Sequence, residues 1–301
     1  MVFVKIIFGD ACCMKELHDN SIHLVVTSPP YFNAPFDFPG LFGSYDDFLD
    51  TIKRVGKELF RVLCPGRVAC FVTQDVRIEG KLYPIVADLI KVMTSEVGFE
   101  YRDKIIWRKP EGYIRISRRS GVLIQHPYPM YYYPDNIYEE IVIFQKPGKF
   151  DRKAIDEELK KISKINIDKF QREKWYLSVW DITNVLPHEK WSKYTAAYPE
   201  ELVERLIRLY SYVGENVLDP FIGTGTTAFV AMKLKRNCYG YEIDLELKEI
   251  IEERLGLKNK LLSTFLGEDD HVEFIIRDDA KKLRTKLRSE IEKKLQAKER
   301  K

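Results

Sequence analysis

The segment that most limits the folds open to this 301-residue chain runs from Asn216 to Glu242. Asn216 to Leu218 is a short apolar strand, Asp219-Pro220-Phe221-Ile222-Gly223-Thr224-Gly225-Thr226-Thr227 follows at once, and Thr226 to Leu234 reads as a helix. A second strand, Cys238 to Tyr241, ends in Glu242. Strand, glycine loop, helix and strand in that order build part of a parallel, doubly wound sheet. Glycine permits positive φ and carries no Cβ, so backbone can approach a ligand closely at the carboxyl end of a strand. An acid about 20 residues past such a loop is placed to accept hydrogen bonds from ribose hydroxyls. A tight turn without a ligand is the plainer reading of Gly223-Thr224-Gly225 alone, and the ordered surroundings weigh against it. No Lys-Ser or Lys-Thr follows the glycines, which disfavours a phosphate-cradling Walker loop.

A second loop, Thr27-Ser28-Pro29-Pro30-Tyr31, follows the strand Ile22 to Val26. Two consecutive prolines fix φ and remove two backbone donors, leaving a stiff corner of outward carbonyls. Such a corner suits an exocyclic amine, a poor nucleophile because its lone pair is delocalised into the ring. With the Ser28 hydroxyl and the Pro29 carbonyl each accepting an N–H, the nitrogen is held pyramidal and its lone pair is freed. Tyr31 supplies a ring to stack on the base. The alternative is a proline-stiffened turn with Tyr31 as a core or rim aromatic.

The two loops in this order resemble those of the beta-arranged amino methyltransferases of nucleic acids, in which the catalytic loop precedes the cofactor loop. Matching stretches run from about residue 4 to residue 256. Phe8-Gly9-Asp10 resembles the segment whose acid contacts the adenosyl part of the cofactor, and Glu139 to Gly148 the strand beside the substrate base. Ala197-Tyr198-Pro199-Glu200 resembles the segment that closes over the methionine end. The resemblance implies S-adenosylmethionine as cofactor and no metal. It implies catalytic roles for Ser28, Pro29, Pro30 and Tyr31. Cofactor contacts would come from Asp10, Thr27, Tyr198, Pro199, Asp219, Phe221, Gly223, Gly225, Thr226, Thr227 and Glu242. The implied fold is α/β: a Rossmann-like, doubly wound, mostly parallel sheet in a circularly permuted methyltransferase domain with a small inserted recognition region. Both loops would then meet at the carboxyl edge, where a topological switch opens a crevice.

The remaining pattern fits alternating α/β structure. Ser44 and Asp47 signal a helix start, and Phe48, Ile52, Val55, Leu59 and Val62 recur at helical spacing until Pro65-Gly66. Arg67 to Thr73 and Tyr101 to Trp107 read as strands. Pro84 and Pro199 each open a helix, with Ile85, Leu89 and Val92 on the first and Leu202, Val203 and Leu206 on the second facing the core.

Charge is nearly balanced at +3, so no global basicity announces a polyanion. Locally, Arg102 to Arg119 carries Arg102, Lys104, Arg108, Lys109, Arg115, Arg118 and Arg119 against Asp103 and Glu111. Tyr113, Gln125, His126, Tyr128, Tyr131, Tyr132 and Tyr133 are interleaved or follow. Arginines suit phosphates and aromatics suit unstacked bases, which makes Arg108, Arg115, Arg118, Arg119, Gln125, His126, Tyr131 and Tyr132 the candidate substrate contacts. A solvated loop over packed tyrosines is the alternative. The expected organisation is a methyltransferase domain over 1–256, with substrate or target-recognition segments at about 108–137 and 149–180, and a charged extension over 257–301. Within that extension His271 to Ile276 is strand-like, and Leu283, Leu287, Ile291 and Leu295 form one stripe of a charged helix.

The five cysteines include no Cys-x-x-Cys pair and the five histidines show no ligand spacing, which disfavours zinc and a disulfide framework. No apolar run approaches a membrane span, so a cytoplasmic protein is expected. Ser28 in the first loop goes, by resemblance, more often with cytosine N4 than with adenine N6. DNA is the favoured partner, and structured RNA such as ribosomal RNA is the runner-up. A homodimer and a restriction endonuclease partner stay open.

Overall fold

The computed structural model describes residues 1–33, 41–110, 125–132, 134, 136–185, 198–257 and 270–280. Its strands are β1 (Phe3–Phe8), β2 (Ile22–Thr27), β3 (Leu63–Thr73), β4 (Val76–Ile78), β5 (Lys81–Tyr83), β6 (Glu100–Arg108), β7 (Tyr138–Gln145), β8 (Val179–Asp181), β9 (Asn216–Asp219), β10 (Asn237–Glu242) and β11 (His271–Ile276). Apart from the β4–β5 hairpin they form one sheet in the order β11-β1-β10-β9-β2-β3-β7-β6-β8. Only β7 runs antiparallel to its neighbours, β3 and β6. From β9 the chain winds outward one way, to β10, and from β2 the other way, to β3. The direction of winding therefore reverses between β9 and β2, which pair in parallel with Leu24 opposite Val217 and Val25 opposite Leu218. In a doubly wound sheet that reversal is where loops diverge and leave a crevice at the carboxyl edge.

Helices cover both faces, as the continuous apolar strands require. On one face α1 (Tyr45–Val62) lays Phe48, Ile52, Val55 and Leu59 against Ile22, Val25, Ala69 and Phe71. The Ser44 side chain caps this helix by accepting from the Asp47 amide. The following α2 (Ile85–Lys91) buries Ile85, Val86 and Leu89 in the same cluster. Two short helices, α3 (Glu157–Ile162) and α4 (Ile167–Arg172), precede α5 (Glu200–Tyr210), α6 (Thr226–Lys233) and α7 (Lys248–Arg254). The last three pack Leu202, Leu206, Ala228, Val230 and Ile251 against Leu24, Val26, Val68 and Cys70 on the other face. Successive residues of β2 thus serve opposite layers, the period of two that a sheet buried on both sides imposes.

The sheet continues past residue 256, where the sequence placed a boundary. β11 pairs with β1 in parallel through six residue pairs from Phe3–His271 to Phe8–Ile276, so this part of the extension belongs to the domain. The expected helix at Leu283 to Leu295 lies outside the described residues.

Candidate active site

Because β2 and β9 are neighbours and parallel, their carboxyl ends bring the Ser-Pro-Pro-Tyr loop and the glycine loop together across 192 residues of sequence. Thr27 Oγ1 donates to Asp219 Oδ1 at 2.7 Å. The same oxygen accepts from the Phe221 amide at 3.0 Å, and Oδ2 accepts from Tyr198 at 2.7 Å and from Thr227 at 2.6 Å. The Tyr198 and Thr227 hydroxyls also touch each other. Four donors fill the capacity of one carboxylate. Burial pushes the Asp219 carboxyl above its ordinary value against these donors, and burial likewise raises the Tyr198 phenol. Thr27, Tyr198, Asp219 and Thr227, read from the sequence as cofactor contacts, are therefore a clasp. Their polar atoms satisfy one another inside the core and fix the two loops side by side.

The cofactor face lies at the rim of this clasp. Gly223 and Gly225 adopt φ of +53° and +84°, values that admit no ordinary side chain without strain. Gly225 caps α6, so Thr226 and Thr227 begin the helix under the loop, while Phe221 and Gly223 stay half-exposed above it. Glu242 ends β10 beside them. Its Oε2 accepts from the Gly223 amide at 2.9 Å, and its Oε1 accepts from the amides of Ile243 and Asp244 at 2.9 Å each. Burial pushes the Glu242 carboxyl up to about 8 despite those three donors. One lone pair of Oε2 remains for a hydroxyl. Asp10 closes the rim at the end of β1, next to Glu242 through the Gly9 amide to Glu242 carbonyl bond of 2.8 Å. Half-exposed backbone at Gly223, flanked by an acid that can take a ribose hydroxyl, fits S-adenosylmethionine. Pro199 is buried at the start of α5, behind Tyr198.

Sequence reasoning missed the group that sets Asp10. Arg277, just past β11, donates from its guanidinium to the carbonyls of Asp10 at 3.1 Å and Cys13 at 2.5 Å, and from Nε to Glu16 at 2.8 Å. A Cβ on Gly9 would come within 2.5 Å of the Arg277 side chain, so that glycine leaves room for the arginine. Nothing local to residue 277 signals this role, which depends on β11 returning beside β1.

On the substrate side Ser28 and Pro30 are half-exposed at the edge and Pro29 is buried. Tyr31 does not stand out as a platform for a base. It is 4% exposed within the α1-side core cluster, and its hydroxyl donates to Glu139 Oε2 at 2.6 Å. Glu139 Oε1 in turn accepts from Lys109 Nζ at 2.5 Å, and that ammonium lies 4.9 Å from the Trp107 ring centroid. The core-aromatic alternative for Tyr31 is the one the structure supports.

Of the expected substrate contacts, Arg108 sits at the end of β6 in a bidentate ion pair with Asp181, at 2.5 and 2.9 Å. Gln125, His126, Tyr131 and Tyr132 are exposed, and the His126 and Tyr131 rings lie 5.4 Å apart. Arg115, Arg118 and Arg119 fall outside the described residues. The second expected recognition segment packs largely away from this edge. Phe150 covers the Arg67 guanidinium at 3.9 Å, the Ser163 hydroxyl accepts from the Val213 amide, and Lys169 pairs with Glu204 of α5. Its cations line a cavity of about 490 Å³ at the amino edge of the strands, together with Arg67, Arg102 and Arg208.

A sheet of this winding, with a glycine loop and a proline-stiffened acceptor loop clasped at the switch point, is the arrangement of a Rossmann-like methyltransferase. The DNA methylase family model for N6 and N4 methyltransferases matches residues 22–253. The Type II methyltransferase M.MjaI of Methanocaldococcus jannaschii is 38% identical to the chain, covering 91% of it and 96% of the relative. TTHA0409 of Thermus thermophilus, a proposed DNA modification methylase solved with S-adenosyl-L-methionine, superposes with a TM-score of 0.67 at 29% identity, covering 89% of this chain and 98% of that one. The cytosine-N4-specific PvuII DNA methyltransferase shares the fold, with a TM-score of 0.64 at 16% identity and coverage of 90% and 96%. The chain belongs to the N6/N4 DNA methylase family and uses S-adenosylmethionine.

Proposed function

We propose that this DNA methyltransferase transfers its methyl group to the exocyclic N4 amine of cytosine. The observation that supports methyl transfer at this loop is the Thr27–Asp219 bond, which seats Ser28 and Pro29 directly beside the glycine loop. S-adenosylmethionine, when bound, supplies an electrophilic methyl on its sulfonium. The Ser28 hydroxyl and the Pro29 carbonyl then accept the two N–H groups of the amine and turn its lone pair out of the ring. Serine at position 28 goes, by resemblance, more often with cytosine N4 than with adenine N6. Placement does most of the catalytic work, and the proton lost from nitrogen passes to solvent without a dedicated base. A base inside a duplex must be swung out to reach this corner, at a cost of a few kcal/mol. The exposed His126, Tyr131 and Tyr132 suit unstacked bases and phosphates near the cleft. This reading puts the chain in the cytoplasm with its DNA; among the described residues no helix is long and apolar enough to cross a membrane.

The test incubates the protein with methyl-labelled cofactor and separate DNA, ribosomal RNA and protein pools, then identifies the labelled nucleoside by mass. N4-methylcytosine in DNA is expected, lost in the double variant Ser28→Ala, Pro29→Ala. N6-methyladenine as the sole product, or label confined to RNA or protein, would sink the assignment.

A further inference from the structure

The acceptor loop has two anchors, and the second has no role in the chemistry described so far. Ser28, Pro29 and Pro30 lie between Thr27, held by Asp219, and Tyr31, held by Glu139. Glu139 stands at the start of β7, and its other carboxylate oxygen is taken by Lys109, the residue after β6. We propose that Lys109 and Glu139 form a positioning pair that fixes the substrate end of the acceptor loop through the Tyr31 hydroxyl, and that this pair joins the loop to the two ends of the β6–β7 connection.

Three observations support this. Glu139 is buried, so its charge must be compensated in place, and the only described partners that reach it are the Tyr31 hydroxyl and the Lys109 ammonium. Each oxygen takes one of them, so the carboxylate works as a bridge between two chain segments 78 residues apart (Tyr31 and Lys109). The Lys109 ammonium lies over the ring of Trp107, 4.9 Å from its centroid, and the Trp107 indole Nε1 donates to the Ile182 carbonyl at 2.8 Å. The sequence between Lys109 and Tyr138 carries the candidate substrate contacts Gln125, His126, Tyr131 and Tyr132. A three-residue span pinned at both ends keeps its carbonyl and hydroxyl in place to a fraction of an ångström, which is what orienting an amine requires. Neither Lys109 nor Glu139 needs to touch the base for this, and the role is the same for either exocyclic amine.

The test uses the full chain, DNA substrate and saturating cofactor, and reads the single-turnover rate of label transfer into DNA whatever base receives it. Glu139→Gln and Lys109→Met should each slow transfer by about tenfold, with cofactor affinity measured by calorimetry unchanged. Lys109→Arg should restore most of the rate. In a Tyr31→Phe background, where the hydroxyl is gone, adding Glu139→Gln should cost less than about twofold more, because residues acting through one group are not additive. Rates within twofold of the unaltered enzyme for both single variants, or effects that multiply in the Tyr31→Phe background, would overturn the proposal. A lost cofactor affinity in Glu139→Gln would mark a general folding role and overturn it as well. An unaltered enzyme that labels DNA on adenine leaves this proposal standing and removes only the cytosine assignment.

Discussion

The two ends of the acceptor loop are held by different kinds of structure. At Thr27 the polar groups lie inside the core, each within reach of several others, and the carboxylate they share has no acceptor capacity to spare. At Tyr31 the chain of contacts runs outward instead, through buried Glu139 to half-buried Lys109, and the next pair along, Arg108 and Asp181, has side chains 54% and 62% exposed. Interactions of the first kind are strengthened by low dielectric and are built by folding itself. At the outer end of the second chain of contacts the exposed Arg108–Asp181 pair is screened and worth little by itself. The cofactor half of the site is therefore complete in the folded chain, whereas the substrate half ends in an exposed pair whose arginine a polyanion can take from Asp181.

The largest test of that contrast is Asp219→Ala, which orphans three hydroxyls and an amide in the core. At about 1–3 kcal/mol for a buried unsatisfied donor, partly relieved by the Tyr198–Thr227 contact, a loss of about 4 kcal/mol is expected in urea unfolding, with cofactor binding abolished. Next comes Glu242, whose carboxyl holds its proton up to about 8 in the folded chain against an ordinary value of 4.5. Between those values the folded state binds more protons than the unfolded one, so stability falls as pH rises from 4.5 to 8. Urea midpoints across that range should decline in the unaltered chain and decline less in Glu242→Gln.

Thr27→Val keeps shape and removes one hydroxyl donor to a carboxylate, for which about 2 kcal/mol of stability and a weakened transfer rate are expected. The smallest effect sharpens the other side. Arg108→Ala should leave the unfolding free energy within about 0.5 kcal/mol, because the pair it breaks is exposed. If Arg108 exchanges Asp181 for a phosphate on binding, the slope of DNA affinity against salt should shrink by about one. A large stability loss in Arg108→Ala would erase the distinction between the two halves.

The cofactor half was legible in the sequence because it carries its own punctuation. Asp219-Pro220 stops a strand, Gly223 and Gly225 turn the chain, and Glu242 falls at the end of the next strand. Even so, the sequence placed Asp219 and Thr27 only at their separate loops, and the adjacency of β2 and β9 showed that they face each other. Tyr31 was misplaced for the same reason, since Glu139 is 108 residues away and reads by itself as an ordinary strand position. Arg277 and β11 were assigned to an extension because a six-residue strand after a charged stretch carries no sign of which edge it will join. Helix stripes such as Phe48, Ile52, Val55 and Leu59 needed no such partner information, and they lie where their spacing put them.

The reversed direction of β7 has a consequence for how such enzymes can diversify. Because β7 descends where β6 ascends, paired from Arg108–Tyr138 down to Glu100–Gln145, the stretch joining them leaves and re-enters the sheet at the same edge as the acceptor loop. Its two ends are tied together by the Lys109 amide to Ile137 carbonyl bond of 2.8 Å. Length and composition between those ends can change without shifting any rung of the ladder below. Grafting the stretch between Arg108 and Tyr138 from one relative onto another, with Lys109 and Glu139 retained at its base, should exchange target preference while the methyl-donor pocket is inherited intact.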